Sequence, residues 1–129
     1  MFAGGLLAMQ ARNGNYLAPR GDGIIDAATP GLGQTCQFFC APSSRPNVVT
    51  LRAGNGLYLS RWGPYQLKAA KTVPDEFCYF RVTVAGAYEI ALQPDTGRYV
   101  TLWDTSSILA LKVTMDPFCV FWVTRLALP

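Results

Sequence analysis

Apolar and polar residues alternate in the same way at three places along the chain. Leu7 and Met9 alternate with Ala8 and Gln10, Val49 and Leu51 with Thr50 and Arg52, and Ile90 and Leu92 with Ala91 and Gln93. A period of two is the mark of a half-buried strand, apolar side inward. Each stretch runs into a polar turn, Asn13-Gly14, Asn55-Gly56 or Thr96-Gly97, and then into Tyr-Leu or Tyr-Val. Asn and Gly both tolerate positive φ, so each stretch is expected to open as a β-hairpin.

The three copies share one register. Tyr16, Tyr58 and Tyr99 are separated by the same two intervals as Ile25, Leu67 and Ile108, as Ala27, Ala69 and Ala110, as Cys36, Cys78 and Cys119, and as Phe38, Phe80 and Phe121. A recurrence of about 42 residues marks one supersecondary module written three times. A third strand is expected at Ile25, Leu67 and Ile108. A fourth is expected from Cys36, Cys78 and Cys119, with the Cys and Phe inward. No stretch has a helical period with caps. The prolines fall in loops or at strand ends, with Pro94 awkwardly placed before the third turn.

Four strands in each of three repeats, at approximately 1–44, 45–86 and 87–129, lead to one all-β domain over 1–129. The fold expected from that count is a β-trefoil with pseudo-threefold symmetry: a unit this small cannot bury its own apolar face, whereas three closing on one axis can. Composition agrees with a folded chain. Half of the 129 residues are apolar and 15% are charged, which speaks against disorder. The net charge of +3 is scattered, with no basic run of the kind that binds nucleic acid. Met1 to Met9 has no cationic start and too short an apolar run for a secretory signal or a membrane span.

The pattern of aliphatic-x-aliphatic, Gly turn, Tyr-Leu, loop, small-residue strand and x-Phe resembles the fascin-like and amaranthin-type β-trefoils. NGLYLSRWGP in the second repeat resembles an amaranthin-type agglutinin repeat. The ricin-type Gln-x-Trp signature is absent. The resemblance implies a sugar-binding or protein-binding module, although fold alone does not fix function.

Candidate chemistry is sparse. The chain has no histidine, which removes the commonest general base and most zinc sites. No pair of carboxylates stands out as an acid and a base, and there is no phosphate-cradling loop. An enzyme is therefore not expected, nor is a cofactor or a metal. Cys36, Cys78 and Cys119 are equivalent and point inward; they read either as a three-thiolate metal site or as small buried hydrophobes, with the second favoured in the absence of histidine or a CxxC pair. A Cys36–Cys40 disulfide is disfavoured by strand geometry, and free thiols fit a cytoplasmic location.

Four positions after each repeat Tyr stand Arg20, Trp62 and Trp103, in the loop before the third strand. Trp62 and Trp103 are candidate stacking floors for a sugar, with Arg61, Asp104, Asp22 and Tyr65 as polar or flanking partners. The competing reading makes both indoles lids over the core. The functional expectation is a small non-catalytic lectin with shallow glycan sites at the repeat loops, binding glycans or glycoproteins and gaining avidity from several sites or a homodimer. The alternative is a protein-binding trefoil: an actin-binding fascin-like module, or a protease inhibitor presenting the loop around Pro42 to Pro46. Phe39, Tyr79 and Trp122 would be outward and would suggest a partner face if contiguous.

Overall fold

The computed structural model describes residues 5–126. They form twelve strands: β1 (Gly5–Gln10), β2 (Tyr16–Pro19), β3 (Ile25–Thr29), β4 (Phe38–Pro42), β5 (Val48–Ala53), β6 (Tyr58–Trp62), β7 (Gln66–Lys71), β8 (Phe80–Gly86), β9 (Glu89–Gln93), β10 (Tyr99–Leu102), β11 (Ile108–Lys112) and β12 (Phe121–Arg125). The all-β class stands. Residues 1–4 of the Met1–Met9 segment, and Pro129, lie outside the described residues.

Six strands close an antiparallel barrel. Going round the wall, β1 pairs with β4, β4 with β5, β5 with β8, β8 with β9, β9 with β12, and β12 with β1. The seam joins the first and last of the described strands, with Leu7 opposite Arg125 and Gln10 opposite Trp122. The other six strands form three hairpins, β2–β3, β6–β7 and β10–β11. Closure leaves the wall without a free edge.

The β-trefoil expectation is corrected by this pairing, and with it the fascin-like and amaranthin-type identification. What the structure supports is a closed six-stranded antiparallel barrel with six further strands. The repeat was expected to be one supersecondary module that opens with a β-hairpin. Instead β1 meets β2 at one ladder pair, Gln10 with Tyr16, and β5 meets β6 only at Arg52 with Tyr58. Long ladders join β4 to β5 and β12 to β1, across repeat boundaries. The physical reason is that side-chain alternation reports which face of a strand is buried, not which neighbour takes its edge.

The repeat register itself has a structural counterpart. The Ala69 N–H donates to the Gly23 carbonyl at 2.7 Å, the Ala110 N–H to the Tyr65 carbonyl at 2.8 Å, and the Ala27 N–H to the Ser106 carbonyl at 2.8 Å. Each hairpin thus receives a bond from the next, and the three tips interlock in a ring. The small alanine at each donor position permits that approach. Gly23 sits at φ +88°, where a Cβ would lie 2.9 Å from the Ala69 carbonyl oxygen. The turn glycines Gly14, Gly56 and Gly97 also have positive φ, as the sequence requires.

The core lies inside the barrel and beneath the hairpins. Phe38, Phe80 and Phe121 are fully buried, joined by Leu7, Met9, Leu51, Leu92 and the third-strand residues Ile25, Leu67 and Ile108. Cys36, Cys78 and Cys119 are buried too, but each ends a single 3-10 turn rather than starting a strand. Asp75 and Asp116 cap two of these turns by accepting from the Phe77 and Phe118 N–H groups at 3.0 Å. Gly33 occupies the matching place in the first repeat and offers no side-chain cap. Pro94 stands where Ala11 and Ala53 stand. Those alanines donate across the turn to Asn15 and Leu57, a bond proline cannot make. Of the two backbone bonds that close the other turns, the third keeps the one from the Gly97 N–H to the Pro94 carbonyl.

Candidate functional site

The expected ligand-binding residues are spread over the three hairpin tips, and only Arg61 and Trp62 share one depression. Asp22 lies in the β2–β3 tip. Its carboxylate accepts from the Ile24 N–H at 3.0 Å and pairs with Arg20 at 3.1 Å. Asp104, in the β10–β11 tip, accepts from the Ser107 N–H at 2.8 Å, the Ser106 N–H at 3.1 Å and the Ser107 hydroxyl at 3.1 Å. Those N–H groups hold its pKa below the ordinary value, as the Ile24 N–H does for Asp22. Both carboxylates therefore shape their own loops. Tyr65 forms part of the β6–β7 tip, where its carbonyl completes the hairpin ring and the Arg98 guanidinium lies 5.9 Å from its ring centroid.

The two tryptophans differ. Trp62 is 38% exposed and Trp103 is 54% exposed, so neither is a closed lid over the core. Trp62 has the Lys68 and Lys71 ammonium groups 4.8 and 5.3 Å from its ring centroid, a cation–π arrangement that occupies its stacking surface. No cation stacks on Trp103 among the described residues. Its backbone is fixed by its N–H bond to the Ser107 carbonyl at 2.9 Å, within the turn that Asp104 organises.

Arg61 is a hub. Its Nε and Nη2 donate to the two carboxylate oxygens of Asp95 at 2.6 and 2.8 Å, a bidentate pair. Its Nη1 donates to the Gly63 carbonyl, and its guanidinium lies 4.9 Å from the Phe77 ring centroid. The bonds to Asp95 raise the Arg61 pKa and lower that of Asp95. Arg61 thus clamps the Trp62 loop to the turn of the third repeat. Arg61, Trp62, Gly63, Lys71 and Phe77 line a depression of about 220 Å³. Lys71 and Phe77 were not singled out from the sequence. Their signal was the match of Lys71 to Lys112 and Phe77 to Phe118 at the repeat spacing.

The thiols do not converge. The Cys36 thiol faces the Gly31 carbonyl at 3.6 Å, and Cys78 and Cys119 each face their own capping aspartate at 3.4 Å. All four cysteines are free and buried. Among the described residues no three His, Cys, Asp or Glu side chains could hold a metal ion. Burial pushes the Cys40 thiol up to about 11. No helix among the described residues is long and apolar enough to cross a membrane.

The loop expected to serve an inhibitor is a compact turn. The Ser43 N–H donates to the Val48 carbonyl at 2.9 Å and the Arg45 N–H to the Ser43 hydroxyl at 3.1 Å, with Asn47 at φ 59°. Phe39 is exposed, while Trp122 is half-buried beneath Arg12, whose guanidinium lies 4.7 Å from its ring centroid.

No protein-family model matches the chain, and no curated protein matches it. The agglutinin label, which rested on the resemblance, goes with the fold assignment that carried it, and neither comparison supports the lectin label.

Proposed function

We propose that the chain is a non-catalytic carbohydrate-binding module with shallow sites at its hairpin tips, centred on Trp103. The observation that carries this reading is an indole 54% exposed on a tip whose backbone is fixed by the Asp104 hydrogen bonds. An exposed indole on a fixed backbone offers an apolar face to a sugar ring, and the surrounding Thr105, Ser106 and Ser107 supply polar groups. Trp62 forms a second, weaker platform, since a sugar must displace Lys68 and Lys71 from its ring. Single shallow sites bind weakly, so avidity through several tips or a homodimer is part of the proposal. Four buried free thiols suit a reducing compartment such as the cytoplasm.

A glycan array with the wild-type chain and Trp103→Ala tests this. The substitution is expected to remove the array signal while the melting temperature stays within about 2 °C, as for a surface change. Binding retained with a large fall in melting temperature would reject it. A protein-binding role is the second reading. It is favoured by Val113, Met115 and Phe118, which are 71%, 43% and 52% exposed in one loop.

A further inference from the structure

The outer barrel wall carries a cleft that none of the tips explains. It has a volume of about 500 Å³, crosses β5, β8 and β9, and ends at the β9–β10 turn. Its walls include Arg45, Tyr79, Arg81, Gln93 and Glu76. Asp95 also borders it, but that carboxylate is already held by Arg61. Among the described residues the guanidinium groups of Arg45 and Arg81 make no hydrogen bond or ion pair; Arg45 only stacks on Tyr79, at 5.8 Å from the ring centroid. Two guanidiniums without an ion-pair partner thus share the cleft with one carboxylate, Glu76.

The residues that line the cleft are peculiar to this junction of repeats. At the other two junctions the Arg81 position is aromatic, Phe39 or Trp122, and carries a stacked arginine, Arg52 or Arg12. Here arginine has replaced the aromatic residue, and Tyr79 stands where Gln37 and Val120 stand. A packing demand common to the three repeats does not produce such an exchange.

We propose that this cleft binds an acidic saccharide. The guanidiniums of Arg45 and Arg81 take its carboxylate or sulfate, the Tyr79 ring takes a sugar face once Arg45 has turned from the ring to the anion, and the Gln93 amide, anchored by its bond to the Gly97 carbonyl at 2.8 Å, takes a hydroxyl. The volume is that of a small-molecule site, larger than an inorganic oxyanion fills. The proposal rests on the carbohydrate-binding reading but uses different residues.

The test is calorimetric titration with a galacturonate tetramer, a sulfated tetrasaccharide, a neutral galactose tetramer and inorganic phosphate, at low and high salt. At least one acidic oligomer is expected to bind ~10-fold or more tighter than the neutral one, and to weaken as salt rises. Arg81→Phe borrows the residue of the first repeat and is expected to fold. It and Arg45→Gln should each lower acidic-oligomer affinity ~10-fold, whereas Trp103→Ala should leave it unchanged. Equal affinity for acidic and neutral oligomers, no effect of either arginine variant, or phosphate binding as tight as the acidic oligomers would overturn the proposal. If neutral glycans bind through Trp103 while acidic ones do not bind here, the cleft proposal alone falls. Absence of all saccharide binding removes both.

Discussion

At Arg61 three kinds of contact meet in one side chain: a two-pronged ion pair, a carbonyl bond and a ring. The sequence drew attention to Arg61 beside Trp62, but as a partner for sugar hydroxyls. Its real partner, Asp95, is 34 residues away, in a turn that nothing local connects to it. Charge pairs of that separation are invisible until the fold brings them together. Asp95→Asn is expected to destabilise the chain by about 1 kcal/mol, the upper end for a partly exposed pair, read as a lowered urea midpoint with an unchanged slope. The cysteines were more legible, since strand parity and repeat spacing both put them inside. Their exact setting was missed, because a turn ended by a Cys and a strand begun by one look alike in alternation. Buried thiols, with Cys40 held protonated by burial, should react with a disulfide reagent only as the chain unfolds. A thiol titrating rapidly in the native protein would contradict the burial.

Among the elements, the hairpins show both the reach and the limit of the sequence. Strand positions and the Gly turns were readable from alternation and turn chemistry. Edge pairing was not, because an apolar face says nothing about which edge is satisfied by whom. The interlocked tips explain why alanine recurs at 27, 69 and 110: each donates its N–H to a carbonyl of another hairpin. Gly23 combines positive φ with close approach to the Ala69 carbonyl. Gly23→Ala should therefore cost about 2–3 kcal/mol, and amide exchange at Ala69 should accelerate more than at Ala110. Equal acceleration at both would mean that the ring opens as a unit. The candidate site was legible only as exposed aromatic residues on loops. That Lys68 and Lys71 cover one indole and leave the other bare depends on cross-strand neighbours that the one-dimensional pattern does not contain.

For the whole molecule, the charge pattern sets the response to acid. Asp22, Asp75, Asp95, Asp104 and Asp116 all have lowered pKa values, from hydrogen bonds with N–H groups or cations. A carboxylate with a native pKa below its unfolded value binds fewer protons when folded. Its contribution is present above the unfolded pKa, near 4, and is lost as pH falls through the native value. Asp26 acts in the opposite sense, since burial raises its pKa. With no histidine in the chain, the melting temperature should be nearly flat between about pH 5 and pH 8 and should fall below about pH 4. A marked change across neutral pH would contradict this account.

The seam between β1 and β12 has a consequence for synthesis. Leu7 waits for Arg125 and Met9 for Val123, so β1 leaves the ribosome long before the strand that completes its pairing. Until Phe121 to Arg125 has emerged, β1 and β9 each keep a raw border, open to capture by another nascent chain. A chain halted before Phe121 is expected to pellet with insoluble material, and supplying the missing strand as a separate peptide should return it to the supernatant.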